Sequence, residues 1–227
     1  SEGSLSIVGC SFVNCFAGAV GGAIFSESDD CSVSGCSFVN CSANVDVESG
    51  GGAIFAIGTI NVWNCSFVNC SANVGGAICS VFVEESNCSV SVIVSDCSFV
   101  GCSAGDGGAI YSLGDSLTVV GCSFVNCNAS RSGGAIYSRD DLFISACNFT
   151  NCNCNSFGGA ICSEESNLVV SGCSFVGCSA DDGGAISSSG SYWVSCSVSG
   201  CSFVGCSADA GGAIFVNSLI TNNCSFV

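Results

Sequence analysis

The chain has 227 residues, of which 18 are acidic and two basic, so its formal net charge is −16. A nucleic acid or an anionic membrane is therefore disfavoured as a partner, because binding either requires Lys and Arg to neutralise phosphate. No apolar run is as long as a membrane-spanning helix, so no membrane span is expected. The chain contains 23 Cys, a density typical of an oxidising setting, which predicts an extracellular or cell-surface location.

One motif recurs along the whole chain and reads CSFVNCSANVGGAI at residues 65–78. Its first Cys recurs at steps of 23 to 32 residues, at Cys10, Cys36, Cys65, Cys97, Cys122, Cys147, Cys173, Cys201 and Cys224. Its second Cys follows five residues later, at Cys15, Cys41, Cys70, Cys102, Cys127, Cys152, Cys178 and Cys206. This repeat predicts one solenoid domain over residues 1–227, as a segment of a longer array or a fibre subunit.

Each copy begins with a predicted strand ahead of the first Cys. An apolar residue stands five positions before that Cys, as at Leu5 and Ile60, and all copies but the last have Val or Ile three positions before it. More polar residues lie between these apolar positions. The period of two indicates a strand with one buried face.

Gly or Asn precedes most of the motif cysteines, as at Gly9 and Asn14. These two residues interchange where the backbone has positive φ, because Gly has no Cβ and Asn tolerates the left-handed region. Each Cys is therefore predicted to follow a bend. The short strand between the bends should turn both Cys and the intervening Phe inward.

The third predicted strand includes GGAI, which occurs eight times, and reads GGAIFS at residues 21–26. Its Ile never varies and is predicted to point inward. The next residue varies and is predicted to point outward, at Phe25, Phe55, Cys79, Tyr111, Tyr137, Cys162, Ser187 and Phe215. The Gly pair lacks the GxGxxG pattern and the Lys of a phosphate-binding loop, so it predicts tight entry into a strand instead.

Three short strands and three bends in roughly 25 residues predict an all-β fold, a right-handed parallel β-helix of about eight coils. The repeated GGAI with a preceding Phe resembles the passenger repeats of the chlamydial polymorphic membrane proteins, which are surface adhesins with GGA(I/L/V) and FxxN motifs. This chain has FVNC where that family has FxxN. The resemblance implies a β-helical fold and a surface location.

The cysteines have two predicted roles. Equivalent cysteines of adjacent coils have Cα atoms about 4.8 Å apart, inside the range that disulfides use, so inter-coil disulfides are one prediction for both columns. Packing as small buried thiols is the other, which Cys31 and Cys196 favour because they replace Leu in its column. Metal binding is disfavoured by the CxxxxC spacing and the lack of His.

The acidic residues gather in loops such as 26–30, 163–166 and 179–182. Solvated turns are the expected role, with Ca²⁺ binding as the alternative and no other cofactor expected. β-Helices also resemble polysaccharide lyases and hydrolases, for which Asp140, Asp141, Asp181 and Asp182 would supply carboxylates. Catalysis is not expected, because the chain has no Lys or His and its copies are nearly uniform.

Asn128 and Asn148 begin Asn-x-Ser/Thr sequons and stand in outward columns otherwise filled mostly by Ser, which makes them predicted glycosylation sites. The chain starts and stops inside the repeat, and uncapped solenoid ends offer unpaired strand edges. The sequence therefore predicts a non-catalytic extracellular stalk or head-to-tail fibre that self-associates end to end. The alternative is an adhesin whose Phe25, Phe55, Tyr111 and Tyr137 contact a cell surface or glycan.

Overall fold

The computed structural model describes residues 3–28, 30–44, 50–82, 90–190 and 195–227. The described residues form strands and turns without a helix, and every strand pairing is parallel. Two nine-stranded sheets and one eight-stranded sheet run along the molecule, and successive strands of each sheet are one coil apart in sequence. The predicted β-solenoid of about eight turns is confirmed.

The first sheet precedes the first Cys of each copy and contains Ser4–Val8, Asp30–Ser34, Thr59–Trp63, Ser91–Ser95, Ser116–Val120, Asp141–Ser145, Leu168–Ser171, Cys196–Ser199 and Leu219–Asn222. The second sheet lies between the two Cys and contains Ser11–Val13, Ser37–Val39, Ser66–Val68, Ser98–Val100, Ser123–Val125, Asn148–Thr150, Ser174–Val176, Ser202–Val204 and Ser225–Phe226. The strands of the third sheet begin at the Ile of GGAI and are Ile24–Ser26, Ile54–Ile57, Ile78–Val81, Ile110–Leu113, Ile136–Ser138, Ile161–Glu164, Ile186–Ser189 and Ile214–Val216.

Two shorter strand pairs lie between the second and third sheets. They are formed by Phe16–Ala17 with Ser42–Ala43, and by Ser103–Ala104 with Asn128–Ala129. Isolated bridges such as that of Ser179 with Ser207 continue this line of pairing toward the other end. The coil-to-coil pairing therefore continues through the corner after the second Cys.

Equivalent residues pair with one another from coil to coil. Phe67 pairs with Phe38 on one side and Phe99 on the other, and Ile78 pairs with Ile54 and Ile110. The Phe rings of neighbouring coils are parallel within 2 to 4°, with centroids 4.8 or 4.9 Å apart. This spacing exceeds the carbon contact distance of about 3.5 to 4 Å, so the stacked rings are offset.

The predicted bends ahead of both motif cysteines are confirmed. All seventeen residues in these two positions have positive φ, from 51° at Asn151 to 66° at Gly121. The column includes Asp96 and Ala146, at φ 52° and 53°. Because Ala146 has no side-chain group that could stabilise this conformation locally, the stacked coils on either side must impose it.

The two glycines of GGAI serve different purposes. The first has positive φ in all eight copies, as at Gly133 with φ 65°. The second lies against the backbone of the following coil. A Cβ on Gly134 would lie 2.0 Å from the carbonyl oxygen of Gly159 and 2.6 Å from that of Asn153. The predicted tight entry into the strand is therefore also a close contact between coils.

The core consists of the predicted columns. In the inner coils the Phe, Ile, Leu/Val and Cys columns are almost completely buried, and Cys31 and Cys196 occupy the Leu column as expected. The columns emerge at both terminal coils, where Phe226 is 54 % exposed and Leu5 and Ile7 are half-buried. Both terminal coils thus present the inner columns in cross-section.

The prediction that the residue after Ile points to solvent is wrong for the inner coils. Phe55, Cys79, Tyr111, Tyr137 and Cys162 are 8 % exposed or less, and they form a second apolar cluster outside the main core. Val74, which precedes GGAI, packs in this cluster. Because the backbone before GGAI folds back over the third sheet, only the terminal Phe25 and Phe215 of this column remain exposed, at 48 % and 37 %.

Candidate functional site

The first cysteine column forms a regular hydrogen-bonded ladder inside the solenoid. The backbone N–H of Cys97 donates to Sγ of Cys122 at 3.4 Å, and Sγ of Cys97 donates to the carbonyl of Ser95 at 3.1 Å. The N–H to Sγ contact recurs at 3.4 Å for each step from Cys10 to Cys201. Each buried thiol is therefore both a donor and an acceptor.

The predicted inter-coil disulfides are not found, since all 22 described cysteines are free thiols. The reason is geometric. Coils stacked in register translate every atom by the coil spacing, which is 4.8 Å in the neighbouring Phe column. A disulfide needs Cβ atoms about 3.5 to 4.5 Å apart, so a Cα separation inside the permitted range is not sufficient. The second prediction, packing as small buried thiols, describes both columns.

Burial makes many of these thiols weaker acids, whereas hydrogen bonds with neighbouring thiols lower the pKa of Cys65, Cys102 and Cys152. Burial raises the pKa of Cys79 and of Cys196 to about 12. The pKa of Cys122 is also raised to about 12. The hydrogen bond with Cys147 lowers this pKa, but the hydrogen bond with Cys97 and burial together raise it by more. Since the thiolate is the reactive form, a raised pKa slows the oxidation of such cysteines.

Among the described cysteines, we expect iodoacetamide to react in the native chain only with those near its two ends. Cys10 is exposed, and Cys15, Cys206 and Cys224 are half-buried, whereas the other eighteen described cysteines are buried. Mass mapping without reduction should find alkylation at these four and complete alkylation after unfolding in urea. Linked peptides from adjacent copies in the unalkylated protein would contradict the expectation.

Asp140 is the one buried carboxylate among the described residues, at 2 % exposure. Its two oxygens accept hydrogen bonds from the Ser112 hydroxyl and the Gly114 N–H of the preceding coil, and its own N–H donates to Ser138 Oγ at 3.1 Å. Burial raises the pKa of this carboxyl, and the two hydrogen bonds it accepts oppose that change. Both oxygens are engaged within the fold, so Asp140 braces two coils.

The raised pKa of Asp140 predicts how its contribution to stability depends on pH. The folded state binds this proton more tightly than the unfolded chain, so the free energy of unfolding falls as pH rises from the ordinary Asp pKa of about 3.9 through the folded value. In urea titrations, Asp140→Asn should show a smaller fall in the free energy of unfolding between pH 4 and 7 than the wild type. Asp209→Asn removes an exposed charge in the last copy of the repeat, far from Asp140, and should keep the wild-type fall; equal slopes in all three proteins would contradict the expectation.

The other candidate catalytic carboxylates are spread over the surface. Asp141 accepts hydrogen bonds from Asn167 at 3.1 Å, Asp181 is exposed, and Asp182 lies in a bridge with Phe157. The two arginines pair with carboxylates of neighbouring coils: Arg131 with Asp106, and Arg139 with Glu165 at 3.4 Å. This arrangement lacks the free basic residues that recognition of an acidic polysaccharide would need.

The carboxylates of the acidic loops are also separated from one another on the surface. Glu164 accepts a hydrogen bond from the Tyr137 hydroxyl at 2.7 Å, and Glu165 faces Arg139. Within the described ranges, no group of three or more His, Cys, Asp or Glu residues is placed to hold a metal ion. The loop carboxylates therefore give no support to the Ca²⁺ alternative, and part of the loop at 26–30 lies outside the described residues.

The two glycosylation candidates differ in their surroundings. Asn148 is exposed at the start of its second-sheet strand, between Ser123 and Ser174 of the adjacent coils. Asn128 is exposed too, but its Nδ2 donates to the Asn126 carbonyl at 2.9 Å and its Oδ1 accepts from Asn153 Nδ2 at 3.5 Å. A glycan on Asn128 would break this local ladder, so Asn148 is the better acceptor.

An exposed aromatic patch lies on the outer face of the first sheet and was not predicted. It consists of Trp63, Ile93, Val120 and Phe143, each between 38 and 43 % exposed. Strand register places them on four successive coils in two alternating outward columns, with Trp63 and Val120 in one column and Ile93 and Phe143 in the other. The groove beside Trp63 is also lined by Asn61, Asp30 and Asp96. The outward columns of this strand vary from copy to copy, and that variation was the available signal.

Comparison of the chain with protein-family models, with curated proteins and with solved structures finds no match in any of the three. Within the described ranges, no helix has the length and hydropathy needed to cross a membrane. The fold and the geometry above are therefore the basis for a function.

Proposed function

We propose that this chain is a non-catalytic structural β-solenoid that forms part of an extracellular stalk or a head-to-tail fibre. The observation that carries the proposal is the unbroken Phe column, whose rings stack at 4.8 or 4.9 Å from Phe12 to Phe226. A catalytic or ligand-binding site usually interrupts a repeat locally. Here the inner columns continue through all nine second-sheet strands.

The terminal coils support extension by further coils. The last strands, Leu219–Asn222 and Ser225–Phe226, are exposed throughout, and inward residues such as Leu219 are 41 % exposed. An edge strand with unpaired backbone groups and an apolar inner face is a template for another strand. Such a coil can come from the same chain in a stalk or from a second copy in a fibre.

An extracellular location is part of the proposal. The cysteine density favours it, and the burial of eighteen of the 22 described thiols would shield them from oxidants outside the cell. The many hydrogen bonds between coils also suit a load-bearing element, because every coil is tied to its neighbours along three sheets.

Negative-stain microscopy of the 227-residue chain across a concentration series tests the fibre. We expect filaments with an axial repeat of about 40 Å per chain, given nine strands at about 4.8 Å. Phe226→Asp places a charge in the junction and should leave short rods, whereas Asn222→Asp adds the same charge on the outer side and should still form filaments. Isolated rods from the wild-type chain at every concentration would contradict the fibre.

The aromatic patch favours an adhesin as second candidate, through a surface other than the aromatic column predicted for it. Trp63 beside Asp30 and Asp96 suits a cationic partner, because a Trp face attracts Lys or Arg and the carboxylates add to the attraction. Calorimetric titration with a lysine-rich peptide should show binding that Trp63→Ala abolishes and Ser145→Ala leaves unchanged. Equal affinities in the three proteins would exclude this candidate.

A further inference from the structure

The outer face of the second sheet is uncharged from one end of the molecule to the other. We call it the Ser/Val face, and it consists of two outward columns and the corner that follows them. The first column is Ser11, Ser37, Ser66, Ser98, Ser123, Asn148, Ser174, Ser202 and Ser225; the second is Val13, Val39, Val68, Val100, Val125, Thr150, Val176 and Val204; the corner is Asn14, Asn40, Asn69, Gly101, Asn126, Asn151, Gly177 and Gly205.

Acidic residues surround this face without entering it. Asp96 lies at the corner before it, and the other described carboxylates lie on the first and third sheets or in the loops beside them, as do Asp30, Asp141 and Glu164. For a chain with net charge −16, the Ser/Val face is the place where a second copy can approach with the least repulsion between like charges.

The face is also regular and apolar along one edge. Val13, Val176 and Val204 are 55, 38 and 39 % exposed. The column is Val without a break from Val13 to Val125, and Thr150 replaces Val once before Val176. Val is stiff at χ1 and loses little rotamer freedom when covered. A contiguous apolar stripe with a polar border is typical of an interaction surface.

The size of the face suits a pair of identical chains. Nine strands at about 4.8 Å and a width of about 15 Å give about 600 Å² on each copy, or about 1,200 Å² in a pair. That area reaches the lower limit of specific interfaces. Two such faces can pack about 10 Å apart with their small side chains interdigitating, as in stacked sheets.

We propose that the Ser/Val face pairs with the same face of a second copy in a two-fold lateral dimer. The contact is isologous, so each Val column meets the partner's face in the same way. The lateral contact is independent of end-to-end extension, because extension uses the inward columns of the terminal coils and the lateral contact uses outward columns. Asn148 lies within the face, so a glycan on Asn148 and the lateral dimer exclude each other.

Small-angle scattering and sedimentation of the 227-residue chain distinguish the two modes of association. We expect a species of doubled mass whose length stays at about 40 Å and whose cross-section doubles. Its dissociation constant should fall as salt rises from 20 to 500 mM, because salt screens the repulsion between the two acidic copies. An end-to-end dimer doubles the length instead, and the terminal Phe226→Asp variant should leave the lateral dimer intact.

Paired variants separate the face from general charge effects. Val100→Lys with Val125→Lys should raise the dissociation constant at least 100-fold, whereas Ser145→Lys with Ser171→Lys adds the same charge to the first sheet and should preserve the dimer. Ser98→Glu with Ser123→Glu is a second disruption if the Lys pair does not fold, as checked by circular dichroism. A wild-type chain that stays monomeric near 1 mM, or equal weakening by the control pair, would overturn the proposal.

Discussion

Gly134→Ala is expected to prevent the chain from folding into its native solenoid. The new Cβ would lie 2.0 Å from the Gly159 carbonyl oxygen and 2.7 Å from the Asn153 nitrogen, and both are backbone atoms of the next coil. No side-chain rotation can relieve this overlap, so adjacent coils must separate. We expect a loss above about 4 kcal/mol in the free energy of unfolding, or no soluble folded protein.

Gly172→Ala is the matched control for Gly134→Ala. Gly172 has φ 60° and no atom within 4 Å of a built Cβ, and Ala146 already occupies the same bend one coil earlier with φ 53°. The cost is then the strain of a left-handed alanine, about 1 to 2 kcal/mol. Urea unfolding monitored by circular dichroism measures the free energy of unfolding of both variants. Comparable losses would show that close contact between coils is not the constraint.

Phe124→Ala should give the largest loss among single truncations of the core. The ring is completely buried and stacks on Phe99 and Phe149 at 4.8 Å on either side. Truncation removes the transfer free energy of the ring and leaves a cavity that the rigid stack cannot close. We expect about 4 kcal/mol.

Val125→Ala is the control for Phe124→Ala, because it truncates the outward neighbour on the same strand, which is half-buried. It should cost about 1 kcal/mol or less. Urea titrations of the two variants and the wild type provide the comparison. A loss below about 2 kcal/mol for Phe124→Ala would mean that the core rearranges to fill the space.

The parts of the fold predicted from sequence are those that depend on a single coil and its repetition. The alternation around Leu117 and Val119, the bend at Asn126 and the inward Ile136 all follow from local residue preference, and all are confirmed. Repetition then fixes the register, because in-register stacking places each column on itself. No prediction of a distant contact was needed.

The candidate site was less predictable, because it depends on distances between coils and on how loops return. The disulfide prediction used the Cα spacing, which is permissive, whereas the Cβ atoms that follow the same translation are too far apart. The column of Tyr111 and Tyr137 has polar and variable neighbours in sequence, yet it is covered by the segment before GGAI. The sequence does not distinguish Asp140 from the other loop acids, because the groups that bind it, Ser112 and Gly114, belong to the preceding coil.

The sequence by itself determined the solenoid, its three sheets, the left-handed bends and the stacked Phe, Ile and Cys columns. These follow from a period of two, from Gly and Asn at fixed positions, and from a repeat that brings each residue onto its own copy. Only the tertiary structure decided that the thiols stay unlinked, that the aromatic column is covered, and that an uncharged Ser/Val face runs the length of the molecule. The physical reason is that a local pattern fixes the direction of a side chain within its coil, whereas contact between coils depends on the spacing and on which neighbouring segment fills the space.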